Sequence, residues 1–140
     1  MLKKISLSVM VFTYLFAGVY HFTKFSYFLS IVPSFLPHSD ILVASTGTIE
    51  IFLAFFLAVS LTRRWACYGI LFFWSMALPI NFYVLLIGGA GIPLPHWQLV
   101  GMIPFHLLLL LWAFWHLLPE RKSGFKKSHP ERLLNLKRRK

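Results

Sequence analysis

Charge is what this sequence has least of. Charged residues make up 13% of the chain, and only four are acidic against fourteen lysines and arginines. A soluble domain carries about a quarter charged residues, so a water-exposed globule is excluded. Cysteine occurs once, as Cys67, so no internal disulfide can form. With no Cys-x-x-Cys pair there is no dithiol relay within the chain either. Cys67 reads as a small buried helix residue. Period-two alternation is missing, which removes a membrane-spanning barrel and leaves helices. No Ser–His–acid set shows an interpretable spacing, and Gly88-Gly89-Ala90-Gly91 has no phosphate-binding context. Activity of this chain on its own is therefore not the expected role.

What is present is long apolar sequence. Four runs, Ile5–Phe22, Ile41–Leu61, Trp65–Ile87 and Leu99–Leu118, are almost free of charge. A helix needs about 20 mostly apolar residues to cross the roughly 30 Å hydrocarbon layer, and each run suffices. The expected fold is all-α, a transmembrane four-helix bundle over residues 1–118, followed by a basic tail over 119–140. Met1-Leu2-Lys3-Lys4 imitates a secretory signal, but the apolar stretch is long and His21 and Lys24 follow it. It reads as an uncleaved first span.

The bases set the orientation. Lys3, Lys4, Arg63, Arg64 and nine tail residues from Arg121 to Lys140 lie on one side, and only Lys24 on the other. Positive-inside bias then puts both termini in the cytoplasm, in a bacterial inner (plasma) membrane. The tail reads as an anchor on anionic lipids, with Glu131–Lys140 as a short interfacial helix. Basic runs also suit nucleic acid, but no aromatics interleave the last charges, so none is expected as a partner.

Between spans one and two, Phe25, Tyr27, Phe28, Ile31, Val32 and Phe35 form an apolar loop closed by Pro33 and Pro37. It predicts one to two turns of interfacial helix from about Ser26 to Val32 that could cap the bundle. Gly47, Glu50, Ala54 and Ala58 share one face of span two. Trp74, Ala77 and Asn81 share one face of span three, where Pro79 interrupts the helical hydrogen bonding and predicts a kink. Gln98, Met102, His106, Leu109, Ala113 and His116 make a stripe on span four.

Polar side chains within a bilayer mark functional sites by default. Counting about 1.5 Å per residue from the outer ends, Asn81 lies roughly 9 Å down, His106 roughly 12 Å and Glu50 roughly 14 Å, with His21 at the edge of span one. A carboxylate in hydrocarbon costs several kcal/mol unless neutralised or paired. Glu50 is accordingly expected to face inward and bond His106 or Asn81. Two readings stay open: a polar clamp between helices, or a ligand or proton site. A metal held by Glu50, His21 and His106 matches no ligand spacing, and haem between His21 and His106 would need an open core that sequence does not demonstrate. His38, His96 and His129 read as loop residues, and His116 as facing headgroups.

Several of these residues recur in one order. Ala17-Gly18-x-x-His21-Phe22 ends span one, and a Pro33-x-x-x-Pro37 loop follows. Gly47-x-x-Glu50 lies in span two, Arg63-Arg64 at its far end, and Pro79-x-Asn81 in span three. In this the chain resembles the DoxX family of small membrane proteins. Span four, with Ile103-Pro104-Phe105-His106, agrees more loosely: Met102 stands where the family often has arginine, and His106 where it has glutamine. The resemblance implies a four-helix bundle and a link to membrane redox assemblies, with Glu50, Asn81 and His106 as the polar centre. It makes an accessory subunit binding a small amphipathic ligand such as a quinone, among redox partner proteins, the leading expectation. The alternatives are a non-enzymatic scaffold or anchor and a small proton-linked transporter.

Overall fold

The computed structural model describes residues 2–89 and 91–119. The tail from 120, with its expected interfacial helix and His129, lies outside the described residues. Among the described residues the regular elements are all helices: α1 (Leu2–Thr23), α2 (Phe25–Ser30), α3 (Ser39–Ala58), α4 (Arg63–Leu86) and α5 (His96–Leu117). Apart from the short α2, the helices are long and apolar enough to cross a membrane. The fold class is the one expected.

The boundaries differ by a few residues from the apolar runs, because polar residues extend or cut the helices. α1 begins at Leu2 and takes in Lys3 and Lys4, and α5 begins at His96 directly after Pro95. α3 stops at Ala58 and not Leu61, where Val59 turns extended at φ −83°, ψ 122°. The last carbonyls there have side-chain donors. Thr62 Oγ1 donates to Phe56 O at 2.9 Å, and Arg63 Nε to Leu57 O at 3.1 Å. Such groups would otherwise be orphaned at a helix end. α4 continues through Pro79 and ends where Gly88 and Gly89 take φ of 70° and 100°, the left-handed region open to glycine.

α1 packs chiefly on α3, α4 on α5, and the two pairs join through α3 and α4. Each helix buries one stripe at helical spacing. On α3 it is Val43, Gly47, Glu50, Ala54 and Leu57, and on α5 Leu99, His106, Leu109 and Ala113. Toward the termini the stripes close into a core of Met10, Tyr14, Leu53, Leu57, Cys67 and Ile70, among others. The α1–α5 seam is fastened at that end by side chains. Trp112 Nε1 donates to Ser6 Oγ at 2.7 Å, Ser6 Oγ lies 3.1 Å from His116 Nε2, and Lys3 Nζ donates to the Leu118 carbonyl. His116, expected to face headgroups, lies in the last turn of α5 and has Ser6 as a partner between helices.

Toward the other end the stripes part. α2 and the segment after it cap this half, with Phe35 packed edge-on against Tyr83 at 5.3 Å between centroids.

Candidate functional site

Between the packed core and the cap lies a cavity of about 600 Å³, within the range of small-molecule sites. α1, α3, α4 and α5 all contribute to its wall, and Phe28, Ile31, Val32 and Leu94 come from the capping segments. Nearly all the lining is apolar. The exceptions include His21, Glu50, Asn81 and His106, and the structure brings all four to this one cavity.

They meet as two pairs on opposite helix couples. The first is set by glycine. α1 and α3 run antiparallel and so close together that a Cβ added at Gly18 would lie 2.7 Å from Gly47 O, and one at Gly47 2.8 Å from His21 Cβ. Helical side chains lean toward their own N-terminus. His21, one turn beyond Gly18, leans back toward the crossing, and Glu50, one turn beyond Gly47, leans toward it from the other direction. His21 Nδ1 and Glu50 Oε2 end 3.0 Å apart. Phe28 of α2 lies flat on the imidazole at 3.8 Å between centroids, tilted by 20°, and holds the ring.

That close approach is an electrostatic contact and not a well-formed hydrogen bond. The Nδ1–H points along α1 to Ala17 O, 3.0 Å away, and Glu50 Oε2 is enclosed with no hydrogen-bond partner. Geometry decides here, since a ring N–H lies in the ring plane and serves best the acceptor in line with it. Glu50 is 2% exposed. It faces inward, as expected of an intramembrane acid, but its neighbour is His21. The expected bond to His106 or Asn81 is not formed, because the glycine crossing carries α3 against α1 at this level.

Asn81 and His106 form the second pair. The Asn81 amide nitrogen lies 3.3 Å from His106 Nδ1; with the amide donating, the ring proton resides on Nε2. Trp74 lies against the His106 ring at 4.3 Å between centroids and donates its indole N–H to Tyr14 Oη at 2.8 Å. A chain of polar contacts therefore runs from α4 and α5 back to α1 beneath the cavity. Tyr14, 2% exposed, was not among the sequence candidates. Its signal was available in the Met10, Tyr14, Gly18 spacing that marks the inner face of α1.

Among the described residues no group of three or more His, Cys, Asp or Glu side chains could hold a metal ion. What the site offers is hydrogen bonding and one buried carboxyl within an apolar, aromatic enclosure.

Fold and site together define a four-helix protein of membrane-spanning character with a polar-centred internal cavity. The family described as Domain of unknown function (DUF8561) matches residues 10–117, and the chain belongs to it. No curated protein and no solved structure matches.

Proposed function

We propose that this protein is a ligand-holding membrane subunit whose cavity takes up one small amphipathic molecule. The carrying observation is Glu50: a carboxyl oxygen sealed from solvent and without a hydrogen-bond partner, on the wall of a cavity of about 600 Å³. Interhelical polar contacts in membranes average well under 1 kcal/mol, so a buried acid with an unsatisfied oxygen is poorly explained as glue alone. A polar head bound in the cavity would lie against the Glu50 side chain while the aromatic walls hold an apolar body.

The resemblance to DoxX proteins rests on motif order. It extends the reading to an accessory subunit of a membrane redox assembly, with a quinone as the ligand class and redox proteins as partners. Positive-inside bias supports a cytoplasmic location for both termini, in a bacterial inner membrane with the tail on anionic lipid. In this reading Glu50 gives or accepts a proton, and Asn81 and His106 bond an oxygen of the ligand.

The test is protein purified in mild detergent and examined by absorption and mass analysis for one co-purifying small molecule. Its retention is then followed across pH in the wild type and in Glu50→Gln. Retention that differs between the two supports the proposal. Identical retention and pH behaviour, or no bound molecule, overturns it.

A further inference from the structure

We propose that the cavity is loaded sideways from the hydrocarbon layer, through a gap between α1 and α5 bordered by Phe16, Tyr20 and Phe105. Its occupant is accordingly a lipid-dissolved amphiphile and not a water-borne solute. This deepens the amphiphile reading above and rests on it.

The gap follows from helix register. Residues three and four apart share a helix face, and Ser6, Thr13, Ala17 and Tyr20 fall on one such face of α1. The facing stripe of α5 carries Phe105, Leu109, Trp112 and His116. Toward the termini the two stripes are joined. Trp112 donates to Ser6, Ser6 also meets His116, and Lys3 donates to the Leu118 carbonyl. Toward the capped end the stripes separate. Phe16 lies about 15 Å beyond Ser6 along α1, and Phe105 about 10 Å from Trp112 in the same direction. At that level Thr13, Ala17, Tyr20, Phe105 and Leu109 line the cavity.

The backbones stay apart there. α1 packs on α3 and α5 on α4, but α1 and α5 are not a closely packed pair. Among the described residues, a Cβ added at Gly101 of α5 would meet nothing within 4 Å. Cavity wall and outer surface are made of the same side chains. Phe16, Phe105 and Tyr20 line the cavity, yet they are 61%, 54% and 39% exposed. Phe12, Phe16 and Tyr20 stack along α1 at 6.4 and 5.8 Å between centroids. The rim is therefore aromatic, and a molecule dissolved in hydrocarbon crosses it without leaving apolar surroundings.

The other sides are better closed. Phe28, Ile31, Leu36 and Leu94 cover the capped end of the cavity. Phe28 lies on His21, and Phe35 packs on Tyr83. Toward the termini the way is blocked by Met10, Leu57 and Ile70, all fully buried. Leu42, Met76 and Ile80 line the opposite flank, between α3 and α4, and those two helices pack together. A solute arriving from water would have to part the apolar cap.

The test uses the full chain in liposomes with 12-bromododecan-1-ol, a lipid-soluble amphiphile whose bromine quenches indole fluorescence. Trp74 lines the cavity, so entry is read as the quenching phase that disappears in Trp74→Phe. In a Cys67→Ala background, one variant carries Phe16→Cys with Phe105→Cys, and another carries Phe35→Cys with Tyr83→Cys. Each pair is bridged by a bifunctional maleimide. Bridging the first pair is expected to slow entry at least tenfold, and bridging the second, across the cap, less than twofold. Slowing by the cap bridge alone, equal slowing by both, or slowing by neither overturns the α1–α5 route while leaving an amphiphile site in place. Should the cysteine variants fail to fold, the unbridged chain gives a second readout. Trp74 is expected to be quenched by phospholipids brominated on their acyl chains and spared by acrylamide in water. Quenching by acrylamide, or none by the brominated lipid, overturns the route. Absence of any Trp74 phase with bromododecanol overturns the amphiphile reading itself.

Discussion

Gly18 and Gly47 meet backbone to backbone, so that a Cβ at Gly18 would lie 2.7 Å from the Gly47 carbonyl oxygen and 3.0 Å from the Ile51 amide nitrogen. Backbone atoms of a packed helix cannot step aside as a side-chain tip can. Gly18→Ala is therefore expected to push α1 from α3 and to destabilise the protein by about 1–3 kcal/mol, the usual range for overpacking. Gly69→Ala is the comparison, because its Cβ would meet only the Leu53 Cδ2 methyl, at 2.9 Å. Thermal unfolding in detergent should show a clear loss of Tm for the first and a small change for the second. Equal losses would remove the close crossing as the cause.

The same crossing brings His21 to Glu50, and their coupling is measurable. His21→Ala leaves a buried carboxyl without the one basic group beside it, which is strongly destabilising for buried pairs. Adding Glu50→Gln to that variant removes the stranded charge. The double variant is therefore expected to be more stable than His21→Ala alone, with a coupling energy of about 0.5–3 kcal/mol in a double-mutant cycle. Additive effects would show that the 3.0 Å approach carries no energy.

Much of this arrangement was legible in the sequence, for a physical reason. Lipid demands long uninterrupted apolar helices, so run length alone located the spans, and the cost of burying an acid turned Glu50 inward. Depth along each span gathered His21, Asn81 and His106 at one level. Pairing was not legible. Whether Glu50 meets His21 or His106 depends on which helices touch, and that was decided by Gly18 and Gly47 contacting each other. Each glycine was visible by itself, but their partnership was not. Tyr14 escaped because a tyrosine on an apolar face looks the same whether or not an indole N–H reaches it. The Ser6–His116 contact was not legible either, because Ser6, 110 positions away, gave no local sign of being a partner.

Asn81 and Trp74 separate the clamp from the ligand site. As a clamp, the Asn81–His106 contact should contribute about 0.6 kcal/mol and at most about 1.7. Asn81→Leu is thus expected to lower Tm only slightly, and Trp74→Phe, which removes the donor to Tyr14 Oη, likewise. If the pair also bonds a ligand, Asn81→Leu reduces retention of the co-purified molecule severalfold. A slight stability loss with unchanged retention would favour the clamp.

The seam between α1 and α5 gives the last expectation. Ser6 Oγ accepts from Trp112 Nε1 at 2.7 Å and lies 3.1 Å from His116 Nε2, so one hydroxyl serves two groups of α5. Ser6→Ala leaves both without that partner in a half-buried setting, where an unmade hydrogen bond costs about 1–3 kcal/mol. The cavity lies toward the opposite end and should keep its ligand. Hydrogen exchange is the suitable measurement, since it reports local opening along each helix. Amides in the last two turns of α5, around Trp112 to His116, are expected to exchange faster in Ser6→Ala, while those around His106 keep wild-type protection. Ser6→Thr, which retains the hydroxyl, should restore slow exchange. Uniform acceleration along α5 would mean that the latch supports the whole bundle and not the seam alone.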